Sequence, residues 1–283
     1  MTSIYKIELS MKVDMQNAKL KKLSKILKDL KSVVIAYSGG LDSTFLLKFA
    51  FDTLGKNNVL AVTARSETYP ESEYKEAKGL ARSIGARHIT IVTEELKLKK
   101  FMSNPVNRCY YCKKELFGKL ASLARENEKN FVLDGTNFDD LKDTRYGRKA
   151  AAEFGVRSPL LDAKIGKSDI RKASKALGLS THDKPSFACL ASRIPFGHKI
   201  ALEGLRKVER AEEFLRSLGF RQFRVRLHGD IARIEIIKSE FGRAIKKSDK
   251  IIENLKRLGF VYVTLDMAGY RTGSMHEAAI DKI

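Results

Sequence analysis

Val33-Val34-Ile35-Ala36-Tyr37-Ser38-Gly39-Gly40-Leu41-Asp42-Ser43-Thr44 decides the fold. The continuous apolar run from Val33 to Tyr37 has the character of a buried strand, Ser38-Gly39-Gly40 breaks the backbone, and a helix begins near Leu41. Glycines let the backbone approach an anion closely, the amides and dipole of a helix start favour that anion, and the Ser38 and Ser43 hydroxyls add donors. Strand, glycine turn and helix in this order therefore make a phosphate site. It is not the Walker pattern, because no Gly-Lys-Ser/Thr closes it.

The same alternation continues on both sides. Residues 16–31 carry apolar positions at helical spacing among lysines. Val59 to Ala64 reads as a second strand, Glu71 to Ile84 as a helix, Ile89 to Val92 as a strand, Lys113 to Glu126 as a helix and Phe131 to Leu133 as a strand. This implies an α/β fold with a parallel sheet flanked by helices and ligands at the carboxyl ends of its strands. After Phe196-Gly197 the period changes. A helix over Leu202 to Leu218, strands over Phe223 to Leu227 and Ile231 to Ile237, a helix over Ala244 to Leu258 and a strand over Val261 to Leu265 give an αββαβ order, with a turn at His228-Gly229-Asp230. The expected domains are 1–196 and a smaller C-terminal α+β domain over 197–283.

The 283 residues are 43% hydrophobic and 31% charged, as in a soluble globular protein. No uncharged apolar run is long enough to span a membrane, and the Lys-rich N-terminus does not read as a signal peptide, so the expected location is the cytoplasm. A net charge of +20 attracts phosphates, on nucleic acid or on small anionic substrates. The lysine runs at 19–22 and 97–100 read as solvated helix faces. Three cysteines, an odd number, argue against a disulfide framework and turn attention to metal binding or reactivity.

Ser38-Gly39-Gly40-Leu41-Asp42-Ser43 resembles the PP-loop of ATP pyrophosphatases, enzymes that split ATP between its α and β phosphates and leave AMP on the substrate. The fold that this resemblance implies is adenine-nucleotide alpha hydrolase-like. Its candidate nucleotide-binding residues are Ala36, Ser38, Gly39, Gly40, Asp42 and Ser43, with Thr63 and Arg65 in the segment that receives adenine and ribose in relatives. Gly135 and Asn137 in Asp134-Gly135-Thr136-Asn137 complete the set. Asp139, Asp140 and Asp143 follow. Asp42 and Asp140 are candidate Mg²⁺ ligands, since hard cations want oxygen, although for the later aspartates, Asp140 among them, helix capping is an equally good reading.

Cys109-Tyr110-Tyr111-Cys112 has a spacing that lets both thiolates reach one metal, and Cys189 lies far along the chain. Three thiolates suit a 4Fe-4S cluster with one iron left open, or zinc with His182 or His198 as a fourth ligand; a buried structural pair is the plainer reading. Arg193, Arg224 and Arg226 are candidates for substrate phosphate, whose geometry suits the planar guanidinium. Alternation puts Arg224 and Arg226 on one face of a strand, where they are otherwise a solvent-facing edge. His228, in a tight turn, reads as structural.

Asn104-Pro105-Val106-Asn107-Arg108-Cys109-Tyr110-Tyr111-Cys112-Lys113, Asp134 to Asp140, Lys184-Pro185-Ser186-Phe187-Ala188-Cys189-Leu190-Ala191-Ser192-Arg193 and Gly269-Tyr270-Arg271-Thr272-Gly273-Ser274-Met275 together resemble the LarE sulfur transferases, in order and over nearly the whole chain. The resemblance implies a small-molecule nucleotide substrate, pyridinium-3,5-biscarboxylic acid mononucleotide, whose carboxylates become thiocarboxylates during assembly of the nickel-pincer nucleotide. ATP and Mg²⁺ are the implied cofactors, and a symmetric homo-oligomer the implied assembly. Cys189 stands where the family's sacrificial cysteine stands and, with Asp42, is the expected catalytic residue. Cys109 and Cys112 point to the three-cysteine branch, in which Cys189 is instead a cluster ligand. The rival readings are an iron-sulfur tRNA thiolase, which the basic charge suits, and an amide-forming PP-loop synthetase.

Overall fold

The computed structural model describes residues 17–142, 146–271 and 273–275. Asp143 and Thr272, named above, lie outside the described residues, as does the first residue of the helix expected over 16–31. The chain forms two compact units. Among the described residues, one holds 17–66, 71–93 and 109–187, and the other 67–70, 94–108 and 188–275.

In the first unit, helix α1 (Ala18–Leu30) starts at Asn17, whose side chain accepts the Lys19 amide at 2.9 Å, and turns Leu20, Leu23, Leu27 and Leu30 inward. Then follow β1 (Val33–Ala36), α2 (Leu41–Leu54), β2 (Val59–Arg65), α3 (Glu71–Ile84), β3 (Arg87–Val92), α4 (Arg108–Glu126), β4 (Phe131–Leu133), α5 (Gly147–Glu153) and α6 (Lys167–Ala176). The strands lie in the order β3-β2-β1-β4, all parallel, with Val33 opposite both Val59 and Phe131. The expected α/β architecture is thus observed. One sheet face packs Ile35 and Leu133 with Leu23, Leu27, Phe45 and Leu46; the other packs Val34, Leu60 and Val62 with Phe117 and Leu120. Coverage on both faces is why β1 and β2 read as unbroken apolar runs rather than alternating ones.

The expected start of α4 is corrected by five residues, from Lys113 to Arg108, so Cys109 lies on its first turn and Cys112 at the start of its second. The turn is launched by Pro105, whose carbonyl accepts the Arg108 amide at 2.9 Å.

The second unit contains α7 (Leu202–Ser217), β5 (Phe223–His228), β6 (Ile231–Ile236), α8 (Phe241–Lys246), α9 (Ser248–Arg257) and β7 (Tyr262–Leu265). Its sheet has the order β5-β6-β7, with β5 and β6 antiparallel through the Gly229 turn and β6 and β7 parallel. Val225, Ile234 and Ile236 pack with Leu215 and Leu255 in a core of its own. The helix expected over Ala244 to Leu258 is two helices. The chain leaves helical geometry at Lys247 (φ −104°, ψ 9°), whose amide is shared between the Arg243 and Ala244 carbonyls, and restarts at Ser248.

Candidate functional site

β1 ends at Ala36 and the chain turns out of the sheet through Tyr37, whose amide is held by the Val62 carbonyl at 2.8 Å. Ser38 to Gly40 then fold back on the start of α2. Ser43 Oγ accepts the Ser38 amide at 3.2 Å, lies 3.2 Å from Ser38 Oγ and donates to the Gly40 carbonyl at 3.3 Å. Gly39 has φ +64°, and a Cβ there would lie 2.6 Å from Ala77 Cβ, so glycine is required twice over. Gly40 is the N-cap of α2, and no side chain caps that helix. A helix start left uncapped by side chains, behind a glycine turn, is a ready anion site.

Gly135 is brought to the same place: a Cβ on it would stand 3.1 Å from the Ser43 amide nitrogen. Thr63 is buried, and its hydroxyl donates to the Tyr37 carbonyl at 2.9 Å, pinning the residue before the loop. Arg65 is exposed at the end of β2, paired with Glu71 at 3.0 Å and stacked over Tyr74. Asn137 is fully buried; its Oδ1 accepts the Asp139 amide at 2.9 Å, while its Nδ2 has no partner among the described residues. Asp140 is buried too and accepts the Asn137 amide at 3.1 Å, so it closes this turn. Asp42, half-buried on the first turn of α2, has the oxygen chemistry that Mg²⁺ requires. Burial of Tyr37 pushes its phenol up to about 12, so the ring at the loop's root stays neutral.

Sequence reasoning missed Lys184. Its side chain is 12% exposed, and Nζ meets Glu73 and Glu76 of α3 at 2.8 Å each and the Gly39 carbonyl at 3.4 Å. It ties the loop's backbone to α3. Glu73 and Glu76 share a helix face by their spacing, but nothing local says that a lysine from so far along the chain fills it.

Cys189, half-buried in the second unit, precedes a short turn at Leu190–Arg193. Its carbonyl accepts from Ser192 N at 3.0 Å, Ser192 Oγ at 2.8 Å and Arg193 Nη1 at 3.0 Å. Arg193 is fully buried; Nη1 also donates to the Ala188 carbonyl, and Nε and Nη2 form a two-pronged pair with Glu212 at 2.9 Å each. The guanidinium of Arg193, expected at a substrate phosphate, here shapes the cysteine turn and pairs with Glu212. Burial pushes the Glu212 carboxyl up, but the charge and hydrogen bonds of Arg193, with Arg224 and the Val225 amide, outweigh it and hold the carboxyl below the usual range. Arg226 is buried, donating to the Ser192 carbonyl at 2.9 Å and pairing with Glu235 at 2.8 Å. Arg224 is half-buried, its Nη1 donating to the Phe223 carbonyl at 2.7 Å and its guanidinium 5.3 Å from the Tyr270 ring centre. Burial, and after it the charge of Arg233, push the His228 imidazole below its ordinary pKa.

Residues 15–129 match the NAD synthase family. A pyridinium-3,5-bisthiocarboxylic acid mononucleotide synthase from Lactiplantibacillus plantarum is 40% identical over 251 residues, covering 89% of this chain and 91% of that protein. The chain belongs to the LarE family. An uncharacterized protein of Synechocystis is 42% identical to this LarE-family chain over 264 residues, 93% of it and 98% of the relative. Another from Methanocaldococcus jannaschii is 34% identical over 259 residues, 89% of the chain and 98% of the relative.

Among the described residues, neither unit of the LarE-family chain groups three His, Cys, Asp or Glu side chains as a metal site. Cys109 and Cys112 come from one unit and Cys189 from the other. The donor set, a pair of thiols one helical turn apart and a third on a shaped turn, has the soft chemistry that iron-sulfur clusters take. No helix among the described residues is long and apolar enough to cross a membrane.

Proposed function

We propose that the chain uses ATP to adenylate the carboxylates of pyridinium-3,5-biscarboxylic acid mononucleotide and exchanges the activated oxygen for sulfur, a step toward the nickel-pincer nucleotide. The observation that carries this is the match to the L. plantarum synthase over both units, joined to a side-chain-uncapped PP-loop helix. A carboxylate repels nucleophiles and has no good leaving group; adenylation removes both obstacles. A substrate carboxylate oxygen attacks the α-phosphorus of ATP and pyrophosphate leaves, its charge met by the loop amides of residues 39–43. Sulfur then adds to the acyl carbon, and AMP departs with the oxygen.

Asp42 would hold Mg²⁺ against the phosphates, with Asp140 behind it in the Asn137 turn. Thr63, Arg65, Gly135 and Asn137 would border the nucleoside, and Arg224 would meet the substrate phosphate, backed by the Arg226 and Glu235 pair. Cys189 is where sulfur passes to substrate, either from its own side chain or with Cys189 retained as a ligand. Cys109, Cys112 and Cys189 would hold a 4Fe-4S cluster, which when bound supplies an iron open to external sulfur. The function divides into a PP-loop ATP pyrophosphatase part over 1–196 and a substrate and oligomerisation part over 197–283, in a cytoplasmic homo-oligomer.

The test is anaerobic incubation with ATP, Mg²⁺ and the biscarboxylate nucleotide, read by mass spectrometry of product and of Cys189. Oxygen-for-sulfur exchange with AMP and pyrophosphate, abolished in Cys189→Ala, is the expected result. A carboxamide product with ammonia would instead assign the chemistry suggested by the NAD synthase match. Iron and sulfide lost together in Cys112→Ser support the cluster; a desulfurised Cys189 in an iron-free protein rejects it.

A further inference from the structure

At the edge of the parallel sheet where β2 and β3 begin, away from the PP-loop, the first unit has a groove of about 720 Å³ bordered by Lys56, Lys78, Arg82, Arg87, His88 and Lys129. Val59 and Arg87 are the first residues of β2 and β3, Lys78 and Arg82 come from the second half of α3, and Lys129 from the turn before β4. The PP-loop leaves the opposite end of β1, a strand about 13 Å long at the usual rise. No carboxylate lines the groove.

Several other cations of the unit are paired, among them Lys48 with Asp52, Arg65 with Glu71 and Lys184 with Glu73. Among the described residues none of the groove's lysines and arginines has an acidic partner, and Lys129 donates only to the Asn57 carbonyl, at 2.9 Å. Lys78 and Arg82 stand four apart on α3, a like-charge spacing that repels. Burial and Lys78 push His88 down, as expected beside uncompensated positive charge. Charges converging on a concavity without counter-charge focus a field that attracts anions. The volume is that of a small-molecule site, and the charges surround a hollow rather than forming the long track that a nucleic acid follows.

We propose that this groove is a second anion site, separate from the PP-loop, that binds an oligophosphate, a ligand of several linked phosphate groups. The arginines would fork onto phosphate oxygens and the lysines neutralise the chain between them.

The experiment is calorimetric titration of the whole protein with inorganic tripolyphosphate while the PP-loop is saturated with α,β-methylene-ATP. It compares the wild type, Lys78→Glu/Arg82→Glu, and Lys22→Glu/Lys25→Glu, which makes the same charge change on the exposed face of α1. The expected result is one tripolyphosphate per chain, weakened at least about tenfold by the groove reversal and little by the control, as a local field requires. Neutral Arg82→Ala should give an intermediate loss, and basal pyrophosphate release should be unchanged in both groove variants. A second analogue molecule per chain, lost in the groove reversal, would make nucleoside triphosphates the source; tripolyphosphate binding without it makes an inorganic chain the source. No binding with the loop filled, equal losses in groove and control variants, or retention of single-stranded RNA but not of tripolyphosphate would overturn the proposal.

Discussion

At Gly39 two independent constraints exclude a side chain, a left-handed backbone and the nearness of Ala77. Gly39→Ala is expected to destabilise the fold by about 2–5 kcal/mol, combining left-handed strain with overpacking, and to raise the KM for ATP. Urea denaturation and pyrophosphate release measure the two effects. Glu212 is the acceptor for a fully buried arginine, so Glu212→Gln should cost about 3–5 kcal/mol through the charge left unpaired on Arg193. Because the folded carboxyl sits below its unfolded value, its contribution is complete above the ordinary glutamate range and is lost as pH falls through the depressed pKa. The fall in stability across that acid range should therefore be shallower in Glu212→Gln, which starts less stable but has no carboxyl there to protonate. Tyr37 has the opposite sign. With its phenol raised from 10.0 to about 12, its contribution is present below pH 10 and is lost on going to about 12, a decline that Tyr37→Phe should flatten.

Among the elements, α3 matters to the ATP loop through Lys184, which bonds Glu73, Glu76 and Gly39 together. Lys184→Met keeps the stem and removes the charge; the expected outcome is a higher KM for ATP with kcat little changed, since the loop is loosened rather than its chemistry removed. Equal falls in kcat and kcat/KM would assign Lys184 to the transition state instead. Local patterns identified β1, α2 and α3 because glycine breaks and apolar periodicity are local signals. They misjudged the start of α4, where Cys-Tyr-Tyr-Cys has weak helix propensity and Pro105 sets the first turn. They also joined α8 to α9, since an amphipathic pattern continues across Lys247 although the backbone does not.

Over the molecule as a whole, the charge of +20 should steer anionic substrates. The KM for the nucleotide substrate is expected to rise with added NaCl while kcat holds, because screening weakens encounter more than chemistry; a KM independent of salt would contradict this. The sequence by itself determined the parallel sheet, the ATP loop, the strands of the second unit and the family, all carried by contiguous motifs. Only the tertiary structure decided that Arg193 is spent inside the protein on Glu212, that Lys184 braces Gly39, and that the groove's cations converge without a counter-charge. The physical reason is that a charged side chain's role depends on burial and on which distant groups surround it, and neither is written in its neighbours along the chain.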